Sequence, residues 1–597
     1  EEPRMVWHND EMTAHDLVIR NAAIVDGTGA PIRHGDVSIT DGVITEVAES
    51  ISGRGTQEID ADGLTVTPGF VDIHTHFDGQ ATWDPILAPS SIHGVTSIVM
   101  GNCGVGFAPA LPTAEQHAWL IGMLEGVEDI PGTALAEGMA WDWETFPEYM
   151  DALDRRQYSI DVAAQVAHAP LRAYVMGARG ADPLEAPTAD ELARMAKMVQ
   201  EGMRSGALGF TTSRTYLHRT KAGAPLGTRF SSADELLALG TAMAETGTGV
   251  VQLISDAYQS PDNDFAIEEM QLMEAMARAM GRPLSMTVQQ PEPLPDRWRE
   301  VGAWVEQGVN KGLSLAMQVA VRPIGILQGL TATVNPLLPC PSFTEISQRP
   351  LSEILVALRD PQRVARIVAE HHAALAHMEG LGSEMFGGFH KLYPMENPVN
   401  YEPSPSDSIA ARAQAANRDV VEFVIELMTQ DNGNRLLYMP LFNFAHNNLD
   451  DIREMLLNKN SIIGLSDAGA HCGTISDGSA TTTALALWTQ DRTRGEKLPL
   501  EFMVNHITAR TASFVGLLDR GVIAPGYLAD INVIDMSTLG TPPPRIVHDL
   551  PAGGRRLMQT ATGYRYTIKN GAVSFVNGEH TGVLSGALIR GAQQRPR

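Results

Sequence analysis

Between Gly69 and about residue 519, short apolar runs alternate with helical segments, and that alternation leaves few folds open. The apolar runs are "GFVDIHTHFD", "VTSIVMGNCG", "DVAAQVAHAP", "GALGFTTSRT", "GVVQLISDA", "PLSMTVQQ", "LSLAMQVAVRP" and "SIIGLSDAGAH". Helical stretches such as "TADELARMAKMVQEGMRSG" and "SADELLALGTAMAETG" lie between them. Each opens on a Ser or Thr with Glu in the first turn, a helix start signal. About eight such units imply a parallel (β/α)8 TIM barrel.

The two ends of the chain read differently. Asp16 to Pro68 is a run of short strands with Asp26-Gly27 and Asp41-Gly42 as turns. Gly526 to Gly582 repeats the style, with Asn570-Gly571 and Asn577-Gly578. A short sheet needs a second surface to bury its face, so both ends are expected in one small composite β-sandwich, residues 15–68 plus 520–585. The barrel then occupies 69–519. Within it, about 326–434 breaks the rhythm with two long helical patterns around a Pro-rich piece, the mark of an inserted lid or a subunit contact. A homo-oligomer is the corresponding expectation. "RLLYMPLFNF" follows the insert, and the pattern alone does not say which late strand is the seventh of the barrel. Residues 1–14 are polar, without a signal-peptide apolar region, and read as a disordered leader or an expression remnant.

With 597 residues the chain is long enough for a large catalytic domain and a smaller one. Its net charge of −27 would repel a phosphate backbone, so no nucleic-acid partner is expected. Three cysteines make no disulfide framework, and no apolar run spans a membrane. The thiols point to a reducing compartment, so a cytoplasmic protein without a membrane partner is expected; a small-molecule substrate is expected from the site described next.

The strongest local signal is "TPGFVDIHTHFDG". Residues two apart on a strand point the same way, so His74 and His76 face the barrel axis at the strand's C-terminal end, where barrel enzymes place their sites. Two imidazoles so placed suit a divalent metal, whereas a lone His is more often a buried core residue. The second signal is "SIIGLSDAGAH". Asp467 ends an apolar strand, a place for a carboxylate that binds metal and takes a proton from water. Taken alone it would serve equally well as a helix N-cap. "GLSDA" is no nucleophile elbow, since Ala468 replaces the last glycine.

These pieces, with "GVTSIVMGNCGVGFAP", "VEDIPGTALAEGMAWDWETFPEYMDAL", "LRAYVMG" and "HITARTASFVGLLDRGVIAPGYLADINVID", resemble the amidohydrolase superfamily, and within it the D-aminoacylase group of N-acyl-D-amino-acid deacylases. The resemblance covers nearly the whole chain. It implies the barrel with a composite sandwich, and metal-assisted attack of water on an amide. It places the paired metal histidines on His74 and His76, a metal-binding cysteine on Cys103 and the strand-end aspartate, catalytic and metal-binding, on Asp467. The group's histidines on the fifth and sixth strands do not carry over. Asp256 and Gln289 stand near those positions, so one Zn2+ is favoured over two.

Further polar residues near strand ends are candidates for holding substrate: His168, Arg172, Ser213, Arg214, Tyr216, His218 and His471. The expected activity is hydrolysis of an N-acyl-D-amino acid or cyclic amide. The alternatives are a lactonase, ester or imide hydrolase using the same site, or a non-catalytic scaffold that has lost its metal.

Overall fold

The computed structural model describes residues 5–7 and 14–597. Eight parallel strands form the barrel: β1 Phe70–Asp72, β2 Val95–Met100, β3 Asp161–Ala164 continued by Val166–Ala167, β4 Gly209–Arg214, β5 Val250–Ser255, β6 Leu284–Thr287, β7 Leu315–Val319 and β8 Ser461–Ile463. Their registers run on from strand to strand: Phe210 lies opposite Val166 and Val251, Leu284 opposite Val251 and Leu315, Met317 opposite Ser461. The ring closes at its C-terminal edge, where His76 N–H donates to Ala468 O (2.8 Å) and Asp467 N–H to His74 O (3.2 Å). The helices form because their apolar residues recur at helical spacing. In Ala189–Ser205 the buried side includes Met195, Val199 and Met203, Thr188 and Glu191 close a capping box, and Gly206 ends the helix at φ 114°.

β7 pairs directly with β8, so Leu315–Val319 is the seventh strand. "RLLYMPLFNF" belongs to the insert: Leu437–Phe442 pairs antiparallel with Ile324–Gln328 and Tyr393–Pro394. The excursion leaves after Val319 and returns at Ser461, and the sequence pattern shows only its helical middle, 326–434. It has an apolar core of its own, including Leu337, Phe343, Ile367, Val424 and Met428.

Strands from both chain ends share one ten-stranded sheet. They join where Thr65–Pro68 pairs with Ile531–Ile534, Val66 facing Val533, and Leu17, Ile19, Val37, Ile39, Ile531 and Ile568 fill the core. One edge departs from expectation. Met5–Trp7, inside the segment expected to be a disordered leader, is a strand antiparallel to Gly55–Asp60; residues 1–4 and 8–13 lie outside the described residues. The segment beyond residue 585 continues across the N-terminal end of the barrel. There Ile589 N–H donates to Val162 O (2.8 Å), and the Ile589 side chain joins Val71, Val99 and Leu517 in the barrel's lower core. Between Ile534 and Tyr564 the chain makes a hairpin, Arg545–Leu550 with Gly554–Met558, which reaches to the opposite edge. Leu557 N–H donates to Cys472 O (2.5 Å), and Arg555 Nη1 to Thr331 O of the insert (3.0 Å). Among the described residues, no helix is long and apolar enough to cross a membrane.

Sandwich and barrel are joined by buried charge. Lys569, fully buried, donates to Asp530 (2.8 and 2.9 Å) and lies 2.8 Å from Asp161 at the start of β3. Arg520 Nη1 adds a 2.5 Å contact to Asp161. Removing one partner of such a cluster leaves uncompensated buried charge. Lys569→Met is therefore expected to lower unfolding stability by about 3–5 kcal/mol, measured by denaturant titration. A loss below about 1 kcal/mol, the range of an exposed pair, would show that the joint does not depend on this lysine.

Candidate metal centre

His74 and His76 follow β1, and both are buried. Between them Thr75 turns away: its N–H and Oγ1 both go to Val99 O of β2 (3.2 and 2.9 Å). The two imidazoles thus face inward, ring centres 5.6 Å apart. Cys103 follows β2 in a tight turn held by the Asn102 amide, which donates to Val99 O (2.9 Å) and Thr75 O (3.3 Å). Its own φ is 55°, a left-handed conformation costly for a residue with a side chain. The turn sets Cys103 Sγ 3.3 Å from His74 Nε2. Donor atoms of His74, His76 and Cys103 lie within 4.8 Å of one another, close enough to hold one metal ion.

Asp467 completes the ring from the loop after β8. That loop carries three non-glycine residues at positive φ, Leu465 (61°), Asp467 (46°) and His471 (53°). Asp467 Oδ1 lies 3.2 Å from His74 Nε2 and 3.7 Å from His76 Nε2. Both rings are held from behind. Gln318 Oε1, from within β7, contacts His74 Nδ1, and Glu128 Oε1 lies 3.4 Å from His76 Nδ1.

The electrostatics are lopsided. Asp72, Asp78, Glu128 and Asp467 are all buried or nearly so around this point, and among the described residues no Lys or Arg is ion-paired with them. Burial raises Asp72 and Asp78 to about 7. It pushes Glu128 well above the usual range, helped by the charges of Asp467 and Asp78. Burial, with Glu128 and Asp467 nearby, also pushes the Cys103 thiol far up, so a thiolate there requires a cation. Burial opposes ionisation of Asp467 too, but the His74, His76 and His471 imidazoles outweigh it and hold the carboxyl well below its ordinary value. Burial lowers His76 to about 4, leaving a neutral ring with a free lone pair. His76 Nδ1 and Nε2, Asp467 Oδ1 and Glu128 Oε1 are all buried without a hydrogen-bond partner.

The other expected site residues divide. His471 is drawn in, its Nε2 3.7 Å from Glu128 Oε2. His218, its Nδ1 2.8 Å from Ser213 Oγ, is lowered to about 3 by burial and by the nearby His76 and His471. His168 and Arg172 are instead fully buried in an internal network on Glu235 (3.0 Å from His168; 2.6 and 2.7 Å from Arg172 Nη1). Arg214 is clamped by Glu269 (2.6–3.0 Å), and Tyr216 is 41% exposed. His168, Arg172 and Arg214 were expected at the substrate, but each is taken up by a carboxylate of this chain. Asp256, near a vacated histidine position, is likewise taken up, accepting from Thr215 Oγ1 (2.6 Å), Gln259 Nε2 (2.8 Å) and Tyr216 N–H (3.0 Å). Gln289 is buried with its Oε1 unpartnered.

Two residues of the site escaped the sequence reading, Glu128 and Gln318. Each had a faint signal. Glu128-Asp129 ends the helix Ala114–Glu128, where the helix dipole disfavours carboxylates. Gln318 is an amide in the middle of an otherwise apolar strand.

A parallel barrel gathering His, His, Cys and Asp at its C-terminal edge defines a class: barrel proteins with a metal-type donor set. The particular family follows from comparison. The amidohydrolase family model matches residues 57–575, so this chain belongs to the amidohydrolase family. It is similar to the D-aminoacylase of Alcaligenes xylosoxydans xylosoxydans (33% identical over 201 residues, 34% of this chain and 38% of that one). It is similar also to the N-acyl-D-glutamate deacylase of the same organism (34% over 205 residues, 34% and 38%). These matched segments span less than two fifths of the relatives' lengths, 33% in the case of an uncharacterised Mycobacterium tuberculosis protein at 37% identity. In fold it resembles the crystal structure of D-aminoacylase (TM-score 0.61, 21% identity, 97% of this chain and 100% of that one). It also resembles N-acyl-D-glutamate deacylase from Bordetella bronchiseptica, solved with zinc and a phosphonate inhibitor (0.62, 22%, 96% and 99%).

Loss of a converging imidazole opens the donor ring. His74→Ala, alone or with His76→Ala, should therefore strip most of the bound metal, read by elemental analysis of purified protein. Undiminished metal content in the double variant would place the ion elsewhere.

Proposed function

We propose that this protein is a metal-dependent hydrolase that cleaves an amide bond, of the N-acyl-D-amino-acid or cyclic-amide type. One observation carries the reading: His74 Nε2, His76 Nε2, Cys103 Sγ and Asp467 Oδ1 converge in a buried place while the Nδ1 atoms of both rings face groups behind them. The residues present fit a zinc-type ion. The donors are nitrogen, sulfur and oxygen, several are buried without partners, and the surrounding carboxylates lack a cation. His74, His76 and Cys103 would hold it, with Asp467 at its edge. When bound, such an ion supplies Lewis acidity, polarising an amide carbonyl and acidifying water.

The chain's own residues supply the rest. Asp467, ionised and held by a strained loop, takes the proton of the attacking water and passes it to the leaving amine. His218, kept neutral by burial, and His471 stand close enough to be felt electrostatically at His76 and Asp467, and can donate to the developing oxyanion. The relatives' names, D-aminoacylase and N-acyl-D-glutamate deacylase, support the substrate class. One ion per chain is the reading favoured here, because Asp256 is saturated and Gln289 is a poor ligand.

The test combines metal and substrate. Chelator-treated protein should be inactive and regain activity with about one zinc per chain, the count of a single tetrahedral site. A panel of N-acyl-D- and N-acyl-L-amino acids, cyclic imides and lactones identifies the substrate class. Asp467→Asn should lose about 10²–10⁴-fold in turnover while keeping metal, since its oxygen can still coordinate. Activity that survives complete metal removal would end this reading.

A further inference from the structure

The carboxylate of Glu128 has no evident reason to be where it is. It is 2% exposed and sits at the last residue of the helix Ala114–Glu128, where the backbone already presents partial negative charge. No Lys or Arg pairs with it among the described residues, and its Oε1 has no hydrogen-bond partner. What it faces is two imidazoles, His76 Nδ1 at 3.4 Å and His471 Nε2 at 3.7 Å. An ionisable group buried without a basic partner and aimed at two imidazoles is a mark of function rather than of stability.

The geometry states what it does. The two nitrogens of His76 face different carboxylates, Nδ1 toward Glu128 and Nε2 toward Asp467. Glu128 therefore lies on the Nδ1 side of the ring, away from an ion bound at Nε2. An acceptor behind a metal-binding imidazole selects the Nδ1–H tautomer and leaves the Nε2 lone pair free. If that acceptor is charged, it also makes the ring a stronger donor. His74 has a neutral counterpart in Gln318 Oε1. The same helix end also grips the loop that bears Asp467. His471 N–H donates to the main-chain oxygen of Glu128, and Asp129 Oδ2 accepts from Gly473 N–H (2.9 Å) and Thr474 Oγ1 (3.0 Å).

We propose that Glu128 is a positioning residue of this site: its carboxylate holds His76 in the Nδ1–H tautomer with Nε2 presented beside Asp467, and it pins His471 and the Asp467 loop against the same helix end. The inference rests on the reading of the site as a metal centre.

Zinc is the probe, and its affinity for the whole chain, measured by competition with a chromophoric chelator, is the readout. The apo proteins are melted in parallel. Glu128→Ala removes acceptor and charge and should weaken zinc binding about 10–100-fold, the range for loss of an outer-sphere partner. Glu128→Gln keeps an acceptor and should lose less, a partial rescue that a merely structural role does not predict. Apo melting of the Gln variant should not fall, because Gln has the shape of Glu and leaves no buried ionisable group unpaired. Cobalt-substituted Glu128→Ala should also show altered ligand-field bands. If Glu128→Ala fails to fold, the Gln variant decides: weaker zinc binding than wild type sustains the proposal, and equal binding overturns it. A folded Glu128→Ala that binds zinc as tightly as wild type overturns the role of Glu128 while leaving the metal centre standing. Wild-type protein that binds no zinc overturns both.

Discussion

The site depends on a seam of two main-chain hydrogen bonds. His76 N–H to Ala468 O and Asp467 N–H to His74 O stitch the segment after β1 to the loop after β8. These residues are separated by nearly four hundred positions, so the closure of the barrel alone brings them together. Once the seam is made, little freedom is left. Thr75 is fastened to β2, His74 and His76 must face the axis, and Asp467 must lie across their Nε2 atoms. Cys103 enters from the next strand in a left-handed turn that Asn102 holds to the same backbone. The strain at Cys103, Leu465, Asp467 and His471 is concentrated at this edge.

A second constraint is charge. Four buried carboxyl groups and a thiol crowd one region, and imidazoles are the basic groups that face Asp467 and Glu128. In a low-dielectric interior such a cluster is unfavourable by itself, and a divalent cation is the natural counter-charge. The network on Glu235 is the contrast. There His168 and Arg172 meet their carboxylate directly, and nothing is left over. The difference between a saturated and an unsaturated buried cluster is what separates framework from site here.

The sandwich extends this logic to the opposite end. Lys569 and Arg520 fix Asp161 at the foot of β3, and the segment beyond residue 585 fills the lower core with Ile589. The hairpin from the same C-terminal region reaches round to Cys472 and the insert, so one segment touches both faces of the barrel. The rigid surroundings of the donor cluster are therefore built from the whole chain.

What the sequence determined by itself is what local periodicity and spacing carry. The alternation of strands and helices defines the barrel, because each unit buries one face in a fixed pattern. His74 and His76 are legible because residues two apart on a strand share a face, and Asp467 because it ends an apolar run. The family resemblance added Cys103. The joining of the two chain ends was legible as style, but the pairing of Val66 with Val533 was not. The seventh strand, the strand at Met5–Trp7 and the commitments of Arg172, Arg214 and Asp256 to internal partners were decided by tertiary structure. So were Glu128 and Gln318. Their roles depend on contacts across 52 and 244 positions, to His76 and His74. Nothing in a linear pattern records which buried carboxylate will find an arginine and which will be left facing imidazoles, because that is settled only when the barrel closes.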